Sequence, residues 1–278
     1  MLVDDMARWE KEKQIVDRTL IPITKKQLVQ DLRRIGVQPG DVISVHCSMS
    51  KIGWVIGDQL TVIEALMEAV TEDGTIVMQA HSTGNSEPRN WNYPSVPEDW
   101  WETIRNEMPP YHPEITPLRN LGRTPELFRI MPGVLRSNHP QVSCTAWGKN
   151  AEEIVREHEL EDSYGDRSPW RALYDLEGKI LLLGVDHESN TALHYAESKV
   201  RNSESPRETR GAAVLEKGER KWVSWEEIEY NSDDFRELGI AFEKSIGYRT
   251  IKVGQAESRL LPMKELIDFA VEWFQKNR

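Results

Sequence analysis

The sequence predicts an α/β protein in which helices flank a central sheet. Three observations carry that reading. Short β-branched runs alternate with stretches of helical period, a strand–helix–strand unit spans residues 41–79, and Lys217-Gly218 sits between two apolar runs as a hairpin turn. A chain of 278 residues can bury a substantial core. Its 38% hydrophobic and 29% charged residues fit a globular protein.

Residues 1–20 read as an amphipathic arm, and residues 21–278 as a single α/β domain. Thr24 is placed to cap a helix, with Gln27 closing a capping box, Leu28, Leu32 and Ile35 as the apolar stripe and Gly36 as the stop. Asp41–His46 is a β-branched run and a buried strand. A loop rich in hydroxyl residues and glycine (Cys47–Gly57) follows, then a helix from about Asp58 with Val62, Leu66, Ala69 and Val70 on its core face. Asp73-Gly74 turns the chain into a second strand, Thr75–Gln79. Residues 81–121 are rich in proline, Trp and Tyr and lack any apolar period, which predicts a long functional loop with one helical turn at Glu98–Met108.

Thr124-Pro125 should start a short helix with Thr as cap. A strand is expected to end at Trp147, a helix capped by Asn150 to run to about His158, and another to run from Ser168-Pro169 to before Gly178. Ile180–Leu183 is an apolar strand, and a helix follows it with Asn190 or Thr191 as its cap. After the hairpin, Ala212–Leu215 with Lys221–Ser224, come an acidic segment, a helix near Asp233–Phe242, strands near Ile251 and Leu260, and a final helix. In that helix Leu266, Phe269, Ala270 and Trp273 keep the spacing of a core stripe.

Composition excludes several classes. The formal net charge of −11 argues against non-specific nucleic-acid binding, which needs Lys and Arg on phosphates, and is compatible with a cationic small-molecule amine as partner. No apolar run has the roughly 18 residues of a membrane span. The charged start of the chain has no secretory apolar region. Cys47 and Cys144, without C-x-x-C spacing, suit a reducing cytoplasm rather than a disulfide framework. Monomer and homodimer both remain open.

Chemistry is expected at the end of the Ile180–Leu183 strand, where open α/β sheets place their ligands. Asp186, His187, Glu188, His194 and Glu197 gather there. His194 and Glu197, three apart, share one helix face. In the first turn the helix dipole disfavours the imidazolium and leaves His194 neutral, as a general base requires. Glu197 or Asp186 is positioned to orient the ring, and Thr191 to assist an oxyanion. The plain alternative is a satisfied histidine beside a surface glutamate. A metal held by His187, His194 and Glu197 is the other reading; the helix lacks an H-E-x-x-H pair, and no metal is expected. The loop Ser48, Met49, Ser50, Lys51, Gly53 lies between strand and helix, where backbone amides can surround an anion. Arg136, Ser137, His139 and Ser143 form a second polar cluster, suited to a phosphate or to pinning a loop. Cys47 is no nucleophile beside His46, because neighbours on a strand face opposite ways.

Taken together, His46–Trp54, Trp91-Asn-Tyr-Pro94 with Val96–Trp101, Arg136–Pro140, Ala146-Trp-Gly148, Ser168-Pro169, Leu183-Gly184 and Asn190–Glu197 resemble the aminoglycoside N3-acetyltransferases, also called the antibiotic N-acetyltransferase family. The motifs run in family order from about residue 20 onward. The resemblance implies a central mixed sheet flanked by helices, distinct from the GNAT fold. It also implies acetyl transfer from acetyl-CoA, without metal, to the 3-amino group of a 2-deoxystreptamine antibiotic. Carried onto this chain, it gives His194 as catalytic base and Glu197 as its partner carboxylate. The Ser48–Gly53 loop falls on the pantetheine–pyrophosphate of CoA and Arg136, Ser137 and His139 on its nucleotide end. Carboxylates and aromatics for the acceptor are expected from the 91–101 loop (Trp91, Tyr93, Glu98, Asp99) and from Glu226 and Asp233. This chain has Cys47 where family members often carry Ser.

Overall fold

The computed structural model describes residues 3–278. Helix α1 (Val3–Arg18) precedes α2 (Lys25–Ile35), which leads into strand β1 (Val42–Cys47). A four-residue helix α3 (Met49–Ile52) and helix α4 (Asp58–Val70) connect β1 to β2 (Thr75–Gln79). The long loop contains α5 (Trp101–Glu107), and α6 (Arg123–Phe128), β3 (Leu135–Arg136) and β4 (Cys144–Gly148) follow it. Next come α7 (Ala151–Val155), α8 (Pro169–Asp175), β5 (Lys179–Leu183) and α9 (Leu193–Val200). The hairpin β6 (Arg207–Glu216) and β7 (Glu219–Ile228) leads to α10 (Phe235–Ser245), β8 (Ile251–Val253), β9 (Ala256–Pro262) and α11 (Met263–Asn277).

Seven strands form one mixed sheet in the order β3-β4-β2-β1-β5-β9-β8. The central trio β2-β1-β5 is parallel and the outer pairs are antiparallel. Alternation along the strands sends side chains to two cores. Ile43, Ile76, Leu181 and Leu183 pack with Leu28, Leu32, Ile63 and Leu66 of α2 and α4. Val77, Ile180 and Leu182 pack on the other face with Trp170 of α8, Leu193 of α9, Phe242 of α10 and Phe274 of α11. Each such side chain contributes about 1.5–3 kcal/mol by leaving water, so the sheet is held from both sides. This two-faced covering is why its strands read as nearly continuous apolar runs.

Local signals explain most boundaries. The Thr24 hydroxyl accepts the Gln27 amide at 3.2 Å, and Gly36 ends α2 at φ 114°, a conformation in which a Cβ is strained. Ser168 caps α8 with Pro169 in its first turn. Elsewhere the structure departs from the sequence reading. Residues of the expected arm form a regular helix, α1. Gly122, not Thr124, precedes α6, and Thr124 is buried inside it. Asn150 turns its side chain to the Thr75 hydroxyl, so α7 is uncapped and ends at Val155. The core stripe of α11 is rotated: Met263, Leu266, Ile267, Ala270 and Phe274 are buried, while Phe269 and Trp273 are half-buried.

The hairpin is longer than its apolar centre suggested. Ten paired positions run from Arg207–Ile228 to Glu216–Glu219. The acidic run Glu226–Glu229 is therefore mostly strand. The 81–121 segment is fastened to this hairpin by main-chain substitutes. The Asn85 side chain donates to Ala213 O and accepts from Ala213 N, both at 2.8 Å, like one residue of an added strand. Asn90 donates to Thr209 O at 3.0 Å, and Arg220 donates from Nε to Met108 O at 2.9 Å. Asn85→Ala removes two buried hydrogen bonds and is expected to lower the unfolding free energy by about 1–3 kcal/mol. Urea denaturation checks the magnitude, and faster amide exchange at Ala213 checks the location.

Candidate active site

The turn after β5 sets the site. Gly184 has φ 70°, and a Cβ there would lie 2.7 Å from the Cβ of Lys51, so this glycine lets the β5 turn and α3 approach each other. Beyond it a 3₁₀ turn, His187–Ser189, delivers the chain to α9. Neither Asn190 nor Thr191 caps α9 through its side chain; Ala192 occupies the cap position. His194 is the second residue of the helix, in its first turn as the spacing requires.

His194 Nδ1 lies 2.8 Å from Glu197 Oε2. Glu197 is fully buried, and its other oxygen accepts from Arg278 at 2.7 Å, from the Asn231 amide at 2.8 Å and from Arg201 at 2.5 Å. Burial pushes the Glu197 carboxyl up, but the hydrogen bond from His194 and the donors on the second oxygen together hold it below the ordinary value. Glu197 is thus a carboxylate. With Nδ1–H directed at it, the basic lone pair of His194 resides on Nε2, which has no hydrogen-bond partner among the described residues. Burial lowers the His194 pKa below 6.5, opposed by Glu197. Tyr164, Phe235 and Tyr230 surround the ring at centroid distances of 4.7, 4.8 and 5.3 Å. These three aromatics pack around the ring and leave its side chain 15% exposed, and sequence reading missed them because they come from three separate segments.

Asp186 is not behind His194. Its carboxylate accepts the His187 amide at 2.8 Å and faces Arg236 and Arg259 at 3.3 and 3.6 Å. His187 is fully buried against Glu243 at 2.9 Å, and its ring sits directly on Gly239, where no Cβ would fit. Thr191, in contrast, lines a cavity of about 300 Å³ at the carboxyl ends of β1, β2 and β5, with His46, Cys47, Gln79, Leu121 and Val185. Burial pushes the Cys47 thiol up to about 12, so it is no thiolate.

Ser48, Met49, Ser50 and Lys51 sit on α3 beside that cavity. The Ser48 amide is bonded to Leu183 O at 2.9 Å, leaving its hydroxyl, 3.3 Å from that of Ser50, as the exposed group. Lys51 borders a shallow pocket with Gly184, Gln255 and Arg259. Gly53 packs on the Gln255 side chain and faces no cavity.

The Arg136–His139 segment is turned inward, against the expectation of a nucleotide contact. Arg136 donates to Thr116 O and Ala80 O at 2.6 and 2.7 Å, and Ser137 donates to or accepts from His158 at 2.9 Å. His139, without exposed surface, accepts the amides of Gln141 and Val142 at 3.2 and 3.1 Å and meets Ser163 at 3.1 Å. These groups pin a loop; their hydrogen-bonding capacity is used internally.

The acceptor candidates are dispersed. Trp91 donates to Ser86 at 2.8 Å, Tyr93 is 97% exposed, and Glu98 and Asp99 lie on the outer face of the loop. Glu226 is bonded to Thr209 across the hairpin. Asp233 does line a cavity, of about 860 Å³, with Glu229, Asp234 and Tyr230, the last being the ring that packs on His194. Among the described residues no cluster of three or more His, Cys, Asp or Glu is arranged to hold a metal, and no helix is long and apolar enough to cross a membrane.

A half-buried histidine, oriented by a fully buried carboxylate and with one ring nitrogen free, lies near the carboxyl ends of the parallel strands in an α/β fold, an arrangement able to accept a proton. Comparison with known proteins specifies the family. Residues 45–275 match the family model described as aminoglycoside 3-N-acetyltransferase, and the chain belongs to that family. It is 43% identical over 266 residues to the SPbeta prophage-derived aminoglycoside N(3')-acetyltransferase-like protein YokD of Bacillus subtilis, covering 95% of this chain and 97% of that one. The crystal structure of YokD superposes with a TM-score of 0.92, covering 95% and 98% of the two chains at 42% identity. Aminoglycoside N(3)-acetyltransferase VIII of Streptomyces fradiae is 32% identical, covering 95% of this chain and 96% of that one. The structure titled AAC-IIIb binary with CoASH matches at a TM-score of 0.81 and 28% identity, over 92% and 97% of the chains. The chain is therefore an acetyltransferase of this family.

The site's burial has a measurable consequence. Burial pushes His46 and His158 down to about 4 and His81 to about 3, and holds His139 well below 6.5. Above pH 6.5 these groups are neutral both folded and unfolded. As pH falls from 6.5 toward 4, only the unfolded chain takes up their protons, so stability falls through that window. Proton uptake on unfolding at pH 5 is expected to approach about four from these histidines alone, measured as the pH slope of the unfolding free energy.

Proposed function

We propose that the protein transfers an acetyl group directly from acetyl-CoA to the 3-amino group of a 2-deoxystreptamine aminoglycoside, with His194 as general base. The observation that carries the reading is the orientation of His194: Nδ1 is fixed on a buried carboxylate at 2.8 Å and Nε2 is free. Acetyl-CoA is assigned to the strand-end cavity because Ser48 and Ser50 follow its lining residue Cys47, and Lys51 lines the neighbouring pocket that shares Val185 with it.

The substrate ammonium gives one proton to His194 Nε2, and the freed lone pair attacks the thioester carbon. Glu197 stabilises the imidazolium that forms. Thr191, on the cavity wall, is placed to donate to the tetrahedral oxyanion. When the C–S bond breaks, the thiolate leaves as the CoA thiol with the second proton of the nitrogen, and His194 returns the first to solvent. The resulting amide nitrogen carries no charge. Asp233 and Glu229, on the cavity wall beside Tyr230, are the carboxylates assigned to the other ammonium groups of the acceptor. Trp91, Tyr93, Glu98 and Asp99 would contact it only from the rim. Relatives whose names carry aminoglycoside N(3)-acetyltransferase support the acceptor, and the neighbour with CoASH supports the donor.

Free-thiol release from acetyl-CoA across a panel of aminoglycosides and simple polyamines tests the reading. Turnover of a deoxystreptamine compound is expected; turnover of polyamines alone would overturn the antibiotic assignment. His194→Ala is expected to lower kcat about 10²–10⁴-fold with the fold intact. The base must be neutral to act, and burial lowers its pKa. The acid limb of kcat/KM is therefore expected below pH 6.5, read from a pH–rate profile.

A further inference from the structure

The floor of the strand-end cavity is more polar than an acetyl group needs. β1 and β2 run parallel with Ser44 opposite Val77. Two residues further on, His46 and Gln79 therefore lie side by side and point to the same face. On that face Val77, Ile180 and Leu182 pack against Leu193 of α9, and the buried Ser44 hydroxyl, opposite Val77, is likewise unpartnered among the described residues. Gln79 is 4% exposed and His46 8% exposed, and both line the cavity. Both atoms of the Gln79 amide and Nε2 of His46 are without a hydrogen-bond partner among the described residues, although the two side chains are neighbours. Asn190, between the lining residues Ser189 and Thr191, is fully buried, and neither end of its amide has a partner. Buried polar groups are ordinarily paired, so this set is built for something that enters.

What enters must offer both a donor and an acceptor. The methyl of an acetyl group offers neither. No Lys or Arg lines the cavity and Glu188 does, which disfavours an acyl chain ending in a carboxylate. We infer that the cavity receives the acyl chain beyond the thioester carbonyl. There Gln79 and His46 select short acyl-CoA donors that carry a neutral hydrogen-bonding group, a hydroxyl or a carboxamide, over plain alkyl ones. The inference rests on the acyl-CoA reading above and extends it to a wider set of donors. The transfer itself is unchanged: the acyl C–S bond breaks, the C–N bond forms, and the polar group rides along unaltered.

Calorimetry without any acceptor tests this. Wild-type protein is titrated with CoA, butyryl-CoA and 3-hydroxybutyryl-CoA. The hydroxylated thioester is expected to bind roughly tenfold tighter than butyryl-CoA, as a site built for a hydroxyl discriminates against its absence. Gln79→Leu is expected to bring the two within about twofold, with Gln79→Met as the second variant should the first lose its circular dichroism spectrum. Equal binding of the two thioesters by the wild type, the result if the floor holds only water, overturns the inference and leaves the donor reading standing. So does a preference that survives in a folded Gln79 variant. Absence of binding by CoA itself overturns both.

Discussion

Everything at this site turns on the cost of burying one charge. A carboxylate with no access to water survives only where other groups replace its solvation, and Glu197 collects them from the whole molecule. His194 comes from its own helix, Arg201 from the residue that follows it, the Asn231 amide from the segment after the hairpin, and Arg278 from beyond α11. Each of these elements is positioned by packing on the same face of the sheet. The ion cluster thus converts the general packing of α9, α10 and α11 into a defined orientation of one imidazole. The first-turn position of His194 and the aromatic rings around it favour the neutral ring that a base requires.

How much of this the sequence disclosed follows from the range of each interaction. The His194–Glu197 pairing was legible because it is a local relation on one helix, fixed by three-residue spacing. The donors to the second oxygen of Glu197 were not: Asn231 and Arg278 lie 34 and 81 positions away, and no periodicity announces them. The βαβ unit and the strands of the central sheet were readable, since a sheet covered on both faces leaves continuous apolar runs. The flanks of the hairpin escaped notice because their pairing is made through main chain, and their polar residues, such as Glu227 buried against Arg210 and Ser163, carry no apolar signal. Arg136, Ser137 and His139 show the limit from the other side. Their polarity was visible, but whether a polar cluster faces a ligand or the interior depends on β3 pairing with β4 and on carbonyls from the long loop, such as Ala80 O and Thr116 O.

The long loop illustrates how a segment without periodicity becomes ordered. Asn85 imitates a strand residue toward Ala213, and the buried Glu87 carboxylate, 3.1 Å from Nε of the half-buried Arg105, closes the loop on itself. Prolines supply fixed backbone between those ties. The loop is thereby tied to the hairpin, and residues carried at its outer rim, Tyr93 among them, stand in solvent.

The reach of Arg278 to Glu197 has a meaning for when the protein becomes competent. The histidine and its carboxylate lie three positions apart on one helix, whereas the guanidinium that completes the cluster depends on the docking of α11. A chain whose final helix has not yet closed holds both partners of the proton pair but leaves the carboxylate short of a donor, and its pull on the imidazole is then altered. The finished fold, rather than the helix that bears the histidine, completes the set of donors around Glu197.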